Sequence, residues 1–339
     1  MKDQALANNI RPITSNPAWQ NNDLLDDARW QDQFTQQCID ELLVAVATLK
    51  KHNDKANYRL LKLPTCQALL TRIANRLECD LGFFRLRGFP LDTIDRVDLE
   101  IALLILGHIM GTPVAQNKQG EIIMHVQDQG YKTGAVNRGT NMKGALVYHT
   151  DSCDVTALLC VKKAKSGAVS RIVSSASIHN ALLQIDEKLV QTLYTLFHWK
   201  RQGWGNQQEK NYFIIPVFTQ YQGYFSSKWL RLFIEQAQEY SEVPRLTQQQ
   251  ISAFDAIDEL TNNPKFHKIL PFEPGDIMFV NNHIIYHTRS AFVDFDEPER
   301  KRDLLRLWLS VPNSSPLSPL LLPLFHCTEP GAVRGGVLT

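Results

Sequence analysis

The chain has 339 residues, with 36 lysines and arginines against 35 acidic residues, enough length for one large domain or two ordinary ones. So even a charge balance supplies no cationic field for a phosphate backbone, so nucleic acid is not an expected partner. No stretch approaches eighteen apolar residues and the N-terminus carries no signal-like apolar run, which predicts a cytoplasmic protein without membrane attachment. The six cysteines (38, 66, 79, 153, 160 and 327) form no C-x-x-C pair, which argues against a zinc ribbon or a disulfide framework and for reduced, mostly buried thiols.

In chain order, Leu42 to Leu49 and Cys66 to Leu77 space their apolar residues by three and four, predicting two helices. A strand ending in a turn follows from Leu81 to Pro90, then a helix from Asp98 to Met110 that stops at Gly111 and Pro113. Residues 117–144 are polar and glycine-bearing, the composition of loops over a site. Short strands are expected at Ala145–Asp151, Val155–Val161, Ser170–Ser174, Phe213–Phe218, Asp276–Asn281 and Leu304–Val311, interrupted by helices at Ile178–Phe197, Trp229–Tyr240 and Thr247–Asn262. The pattern predicts a mainly β protein, a barrel or jelly roll decorated by helices. Residues 1–80 are read as a helical segment packed on the core formed by 81–339, and Pro316 to Thr339 as a tail wrapping the surface.

Within Leu-Val-Tyr-His149-Thr-Asp151, the period of a strand sends His149 and Asp151 to one side and Tyr148 and Thr150 to the other. One metal could take both, although H-x-D also suits a solvated turn. A third ligand would come from Pro274-Gly-Asp-Ile-Met-Phe-Val-Asn-Asn-His283-Ile-Ile-Tyr-His287-Thr-Arg289. His283 and His287 share parity but stand about 13 Å apart on a regular strand, so one metal can take only one of them. Two histidines and one carboxylate make the facial triad of non-haem Fe(II) oxygenases, and they suit zinc as well. In Lys301-Arg302-Asp-Leu-Leu-Arg306-Leu-Trp-Leu-Ser-Val, Arg302, Leu304, Arg306 and Trp308 alternate with Leu305, Leu307, Leu309 and Val311. Arginines facing into a barrel call for an anion, most simply a carboxylate gripped by two parallel hydrogen bonds.

The ordered set His149-Thr-Asp151, Pro-Gly-Asp-Ile-Met-Phe-Val-Asn-Asn, Tyr-His287-Thr-Arg-Ser-Ala-Phe and Arg302-Asp-Leu-Leu-Arg306-Leu-Trp-Leu-Ser resembles the TauD/TfdA family of Fe(II)- and 2-oxoglutarate-dependent dioxygenases. The resemblance runs from about residue 80 to the closing Gly-Ala-Val-Arg-Gly-Gly. It implies a double-stranded β-helix, with His149, Asp151 and His287 as both catalytic centre and iron ligands and His283 beside the pocket. It further implies that Arg302 grips the distal carboxylate of 2-oxoglutarate and that Arg306 meets an acidic group of the substrate. The family also sets a threonine or serine against the cosubstrate after a Gly-Gly turn. Here the turn reads Ser166-Gly-Ala-Val-Ser170, so Ser170 is the match and the second glycine is missing. Because the carboxylate ligand is present, oxygenation is favoured over halogenation.

Further substrate contacts are expected from loops 126–144 and 203–211, with Asn141 and Arg289 as candidates and Thr140 beside them. The activity so implied is hydroxylation of a C–H bond in a small carboxylate-bearing substrate, an amino acid or a secondary-metabolite precursor, consuming O2 and releasing succinate and CO2. Desaturation, oxidative decarboxylation or cyclisation at the same site is the alternative, and a non-catalytic metal-binding jelly roll is a second. A homo-oligomer is left open.

Overall fold

A computed structural model describes residues 10–15, 17–52, 58, 61–130, 142–201 and 210–338. In chain order, β1 (Gln31–Gln33), α1 (Gln36–His52), α2 (Pro64–Cys79), β2 (Phe83–Arg87), α3 (Leu99–Met110), β3 (Thr112–Pro113) and β4 (Ile123–Val126) make up the first third. Next come β5 (Leu146–His149), β6 (Val155–Lys162), β7 (Ser166–Gly167), β8 (Ser170–Ser174), α4 (Ser175–Ile185), α5 (Glu187–Leu193), β9 (Leu196–Lys200), β10 (Tyr212–Pro216), β11 (Phe218–Tyr221) and β12 (Tyr224–Ser227). The chain closes with α6 (Arg231–Ala237), α7 (Gln248–Asn262), β13 (His267–Leu270), β14 (Ile277–Asn281), β15 (Ile285–Arg289), β16 (Phe292–Val293), β17 (Asp303–Ser310) and α8 (Leu322–Phe325).

Two sheets carry the architecture. The larger runs β1-β2-β14-β6-β17-β3, with β4 also on β17, and the smaller runs β13-β8-β15-β5. Apart from the parallel β1–β2 pair, their ladders are antiparallel. This is the expected double-stranded β-helix. The period of two decides which side chains face where. Leu305, Leu307, Leu309 and Val311 join Ile277, Phe279, Ala157 and Leu159 in one apolar cluster with α1, α2 and α3, whereas Arg302, Leu304, Arg306, Met278, Val280 and Leu158 line a cavity between the sheets. On the outer face of the small sheet, Val173 and Tyr286 pack with α4, α5 and α7 through Ile178, Val190 and Phe254.

The early residues belong to this core. Trp19, Leu24 and Trp30 pack with Phe83, Met278, Val280 and Ile285 in one apolar cluster, and Trp19 Nε1 donates to Leu81 O at 2.8 Å. Helix α2 begins with Pro64, at a position that needs no backbone donor. The Glu41 carboxylate of α1 accepts the N–H groups of Thr65 and Cys66 at that same end.

Four expectations change. Cys38 and Cys66 meet across α1 and α2 with their Cα atoms 5.1 Å apart, paired as a disulfide where separate thiols are expected. The single helix expected over 178–197 is two helices and a strand, because Asp186 leaves the helical region and its side chain caps Lys188 N. The strand expected over 213–218 divides at Val217 into β10 and the start of the β11–β12 hairpin. Finally, the tail buries Leu317, Leu321, Leu324, Phe325, Arg334 and Val337 rather than lying on the surface. Among the described residues no helix is long and apolar enough to cross a membrane.

Candidate active site

His149 ends β5, and the β15 ladder pairs it directly with His287. Their ring centroids are 4.2 Å apart. Asp151 lies just past the end of β5, in a turn fastened on two sides. Asp151 N donates to Asn282 Oδ1 at 3.0 Å, and the buried Lys228 Nζ donates to Thr150 O, Asp151 O and Ser152 Oγ at 2.7, 2.9 and 3.3 Å. The result is that one ligand atom from each of His149, Asp151 and His287 lies within 4.8 Å of the others.

Charge states suit a divalent cation. Burial opposes ionisation of Asp151, yet the charges of Arg306, His287 and His149 and a hydrogen bond from Thr156 Oγ1 at 2.7 Å outweigh it and hold the carboxyl below its usual range. Burial lowers both imidazoles, His287 to about 3 with His149 adding to the effect, so both rings are neutral and could offer a lone pair to a metal. His149 Nδ1 donates to Val147 O at 2.8 Å, leaving the lone pair on Nε2. His287 Nδ1 is buried with no hydrogen-bond partner among the described residues. Two neutral nitrogens and one anionic oxygen converging in a cavity fit a non-haem iron.

Arg306 stands beside this cluster. Its Nη1 is 3.5 Å from Asp151 Oδ1, its Nε donates to Gln116 Oε1 at 2.7 Å, and its Nη2 lies 3.7 Å from Met124 Sδ. The guanidinium rests over Trp308, 4.9 Å from the ring centre. Arg302, just before β17, donates from Nη1 to Val126 O at 3.0 Å and from its backbone N to Asp294 Oδ1 at 2.8 Å. Burial lowers its affinity for the proton. Ser170 opens β8 and lines the same cavity, as does Arg289. The preceding turn explains how the missing glycine is tolerated: Gly167 and Ala168 both take positive φ, 78° and 52°, so alanine occupies a left-handed position that favours glycine.

The structure thus gathers His149, Asp151, His287, Arg302, Arg306, Ser170 and Arg289 round one cavity. His283 is elsewhere: the strand breaks after Asn281, and the ring in the ensuing turn pairs with Asp154 Oδ1 at 2.8 Å, an oxygen that also accepts from Arg334 Nε at 2.7 Å. Asn141, Thr140 and residues 203–209 lie outside the described residues. Sequence reasoning passed over Gln116, Thr156, Asn282 and Lys228. Only Asn282 had a signal, its place in the Asn-Asn pair after a strand.

A two-sheet β-helix that brings an H-x-D pair and a distant histidine together is the arrangement of a jelly-roll metalloprotein, with donors suited to a non-haem iron oxygenase. The sequence profile of the family described as taurine catabolism dioxygenase TauD, TfdA family, matches residues 52–308. FR-33289 synthase of Streptomyces rubellomurinus is 27% identical over 318 residues, covering 89% of this chain and 91% of that protein. Taurine hydroxylase-like protein SAT17 of Stachybotrys chartarum is 26% identical over 257 residues, 73% of this chain and 65% of its own length. Asparagine oxygenase superposes with a TM-score of 0.61 at 16% identity, over 84% of this chain and 93% of that one. The non-haem iron oxygenase OrfP, solved with Fe and alpha-ketoglutaric acid, gives 0.61 at 13% identity, over 83% and 94%. The chain belongs to the TauD/TfdA family. It is an iron- and 2-oxoglutarate-dependent dioxygenase.

Proposed function

We propose that the protein hydroxylates an unactivated C–H bond of a small carboxylate-bearing molecule, an amino acid or a secondary-metabolite precursor. The observation that carries this reading is the convergence of His149, Asp151 and His287 in a cavity that also holds Arg302 and Ser170. The three ligands would hold Fe(II) and leave positions open on it. Bound iron supplies the reduction of O2 coupled to decarboxylation of 2-oxoglutarate, so that R–H, 2-oxoglutarate and O2 become R–OH, succinate and CO2.

The chain's own residues orient the reactants. Thr156 and Arg306 restrain the Asp151 carboxylate, and Asn282 and Lys228 restrain the turn beneath it. Arg302 and Ser170 receive the distal carboxylate of the cosubstrate. Arg306, already committed to Asp151 and Gln116 through two nitrogens, offers Nη2 to an anionic group of the substrate. Such positioning selects the carbon attacked.

The test is succinate release on a panel of small carboxylates, with and without Fe(II) and 2-oxoglutarate. The panel begins with amino acids, since structural neighbours hold hydroxylated asparagine and arginine. Release that requires metal, cosubstrate and one panel member together, with a product heavier by one oxygen, is the expected result. A product lighter by two hydrogens would assign desaturation instead. Binding of 2-oxoglutarate with no O2-dependent succinate across the panel would count against an enzyme of this type.

A further inference from the structure

One end of the cavity carries more positive charge than a single arginine supplies. Arg289 follows His287 by two residues in β15, so both side chains leave the same face. The ladder sets Arg289 directly against Ser170 of β8. Arg302 meets them from the large sheet. The guanidinium carbons of Arg289 and Arg302 lie 4.7 and 5.2 Å from the ring centre of Phe292, so one aromatic side chain seats both cations.

Both are deeply buried, with Arg289 4% and Arg302 5% exposed. Among the described residues neither has a carboxylate within ion-pair distance. The acidic groups whose charge reaches them are committed elsewhere. Asp128 pairs with Lys143 at 3.4 Å and Asp303 with His125 at 3.0 Å, while Asp294 gives Oδ1 to the backbone N–H groups of Arg302 and Phe295 and reaches neither guanidinium with Oδ2. Arg289 spends Nη2 on Met142 O and Gly144 O, whereas its buried Nε and Nη1 have no partner among the described residues. Two desolvated like charges, one of them with two unpartnered donors, are costly until an anion lies between them.

We propose that Arg289 and Arg302, with Ser170, form a two-guanidinium seat for the distal carboxylate of the 2-oxo acid, making Arg289 a cosubstrate residue that selects a dicarboxylic over a monocarboxylic 2-oxo acid. The inference rests on the cosubstrate reading given above and reassigns Arg289 from the substrate to the cosubstrate. The strand advance from His287 to Arg289, about 7 Å, leaves one end of a five-carbon dicarboxylate beside the histidines and the other beside the guanidiniums. Ser170 supplies a neutral donor on the adjacent strand.

The experiment is isothermal titration calorimetry on the full chain loaded with Mn(II), which replaces iron without turnover. The ligands are 2-oxoglutarate and 2-oxobutyrate, which shares the 2-oxo acid head and lacks the distal carboxylate. Arg289→Gln weakens 2-oxoglutarate binding on the order of 30-fold and leaves 2-oxobutyrate binding unchanged, and Arg302→Gln behaves alike. Arg289→Lys, which keeps the charge and loses the fork, gives an intermediate loss and serves if the glutamine variant fails to fold. Unchanged 2-oxoglutarate affinity in the Arg289 variants, or equal weakening of both acids, would overturn the inference and leave Arg289 as an anchor for Met142 and Gly144. A wild-type protein that binds no 2-oxoglutarate would overturn the cosubstrate reading itself, and the inference with it.

Discussion

Asp151 accepts a hydrogen bond from Thr156, stands 3.5 Å from Arg306 and has its backbone tied to Asn282 and Lys228, whereas Arg289 at the opposite end of the same cavity keeps two buried donors unpartnered. At the histidine end the Asp151 carboxylate and its turn and the His149 ring are already held by the protein, with His287 Nδ1 alone lacking a partner among the described residues, so a metal would arrive at a largely organised site. At the arginine end the protein has gathered cations and left them for an incoming anion to complete. The difference teaches that a metal needs its donors positioned, and a flexible dicarboxylate needs charge whose desolvation is already complete.

That contrast can be broken from either side. Asp151→Ala removes the only anionic ligand of the cluster and should abolish both Fe(II) binding and succinate release, measured by anaerobic metal titration and by coupled turnover. Arg302→Gln should act on the other end alone. It weakens 2-oxoglutarate by about 2 kcal/mol in calorimetry while the metal titration stays as in the wild type; a matching loss of metal affinity would show that the two ends are not separate. Thr156→Val leaves the shape and removes one hydrogen bond to Asp151, and should lower metal affinity by roughly 10- to 100-fold.

Smaller effects sharpen the picture at the arginine end. Ala168→Gly relieves a left-handed residue two before Ser170 and should stabilise the fold by about 1 kcal/mol in denaturant titration; a loss would mean that the turn depends on the methyl group. His125 bonds Asp303, the neighbour of Arg302, at 3.0 Å and Glu100 at 3.1 Å, and these partners raise its pKa to about 9 against a burial effect. A pKa raised on folding gives stability that is present in full below the unfolded value of about 6.5 and is lost as pH rises through about 9. With the ring 41% exposed, solvent screening limits the contribution to less than ~1 kcal/mol. Comparing unfolding midpoints at pH 6 and pH 9.5 checks it, with His125→Gln expected to flatten the difference.

Much of this was legible where a local rule coincided with a global role. The alternation of Arg302, Leu304 and Arg306 with Leu305, Leu307 and Leu309 predicts two faces, and those faces are the cavity and the helix-packed side. The spacing of His149 and Asp151 likewise survives, although Asp151 sits in a turn past the strand. Choosing between His283 and His287 needed more than parity, because the strand breaks after Asn281 and parity has no meaning across a turn. Gln116, Thr156 and Lys228 were invisible for a different reason. Each is an ordinary polar residue: Gln116 and Lys228 act on partners distant in sequence, Lys228 and Asp151 being 77 positions apart, and Thr156 meets Asp151, five residues away, only because the chain turns between them. Asp186 was readable as a helix cap and should have divided the long helix expected over 178–197.

The tail gives the turn that carries Asp151 its last support. Gly335 and Gly336 take φ of 74° and 73°, Gly336 N donates to Ser152 O at 2.7 Å, and a side chain on Gly335 would collide with that same oxygen. Arg334 reaches Asp154 from 180 residues away in sequence. The clamp on this turn is thus supplied by residues that lie beyond the last strand of the barrel. Loss of the residues around Arg334 would therefore loosen the turn that carries Asp151 without touching any residue in the cavity.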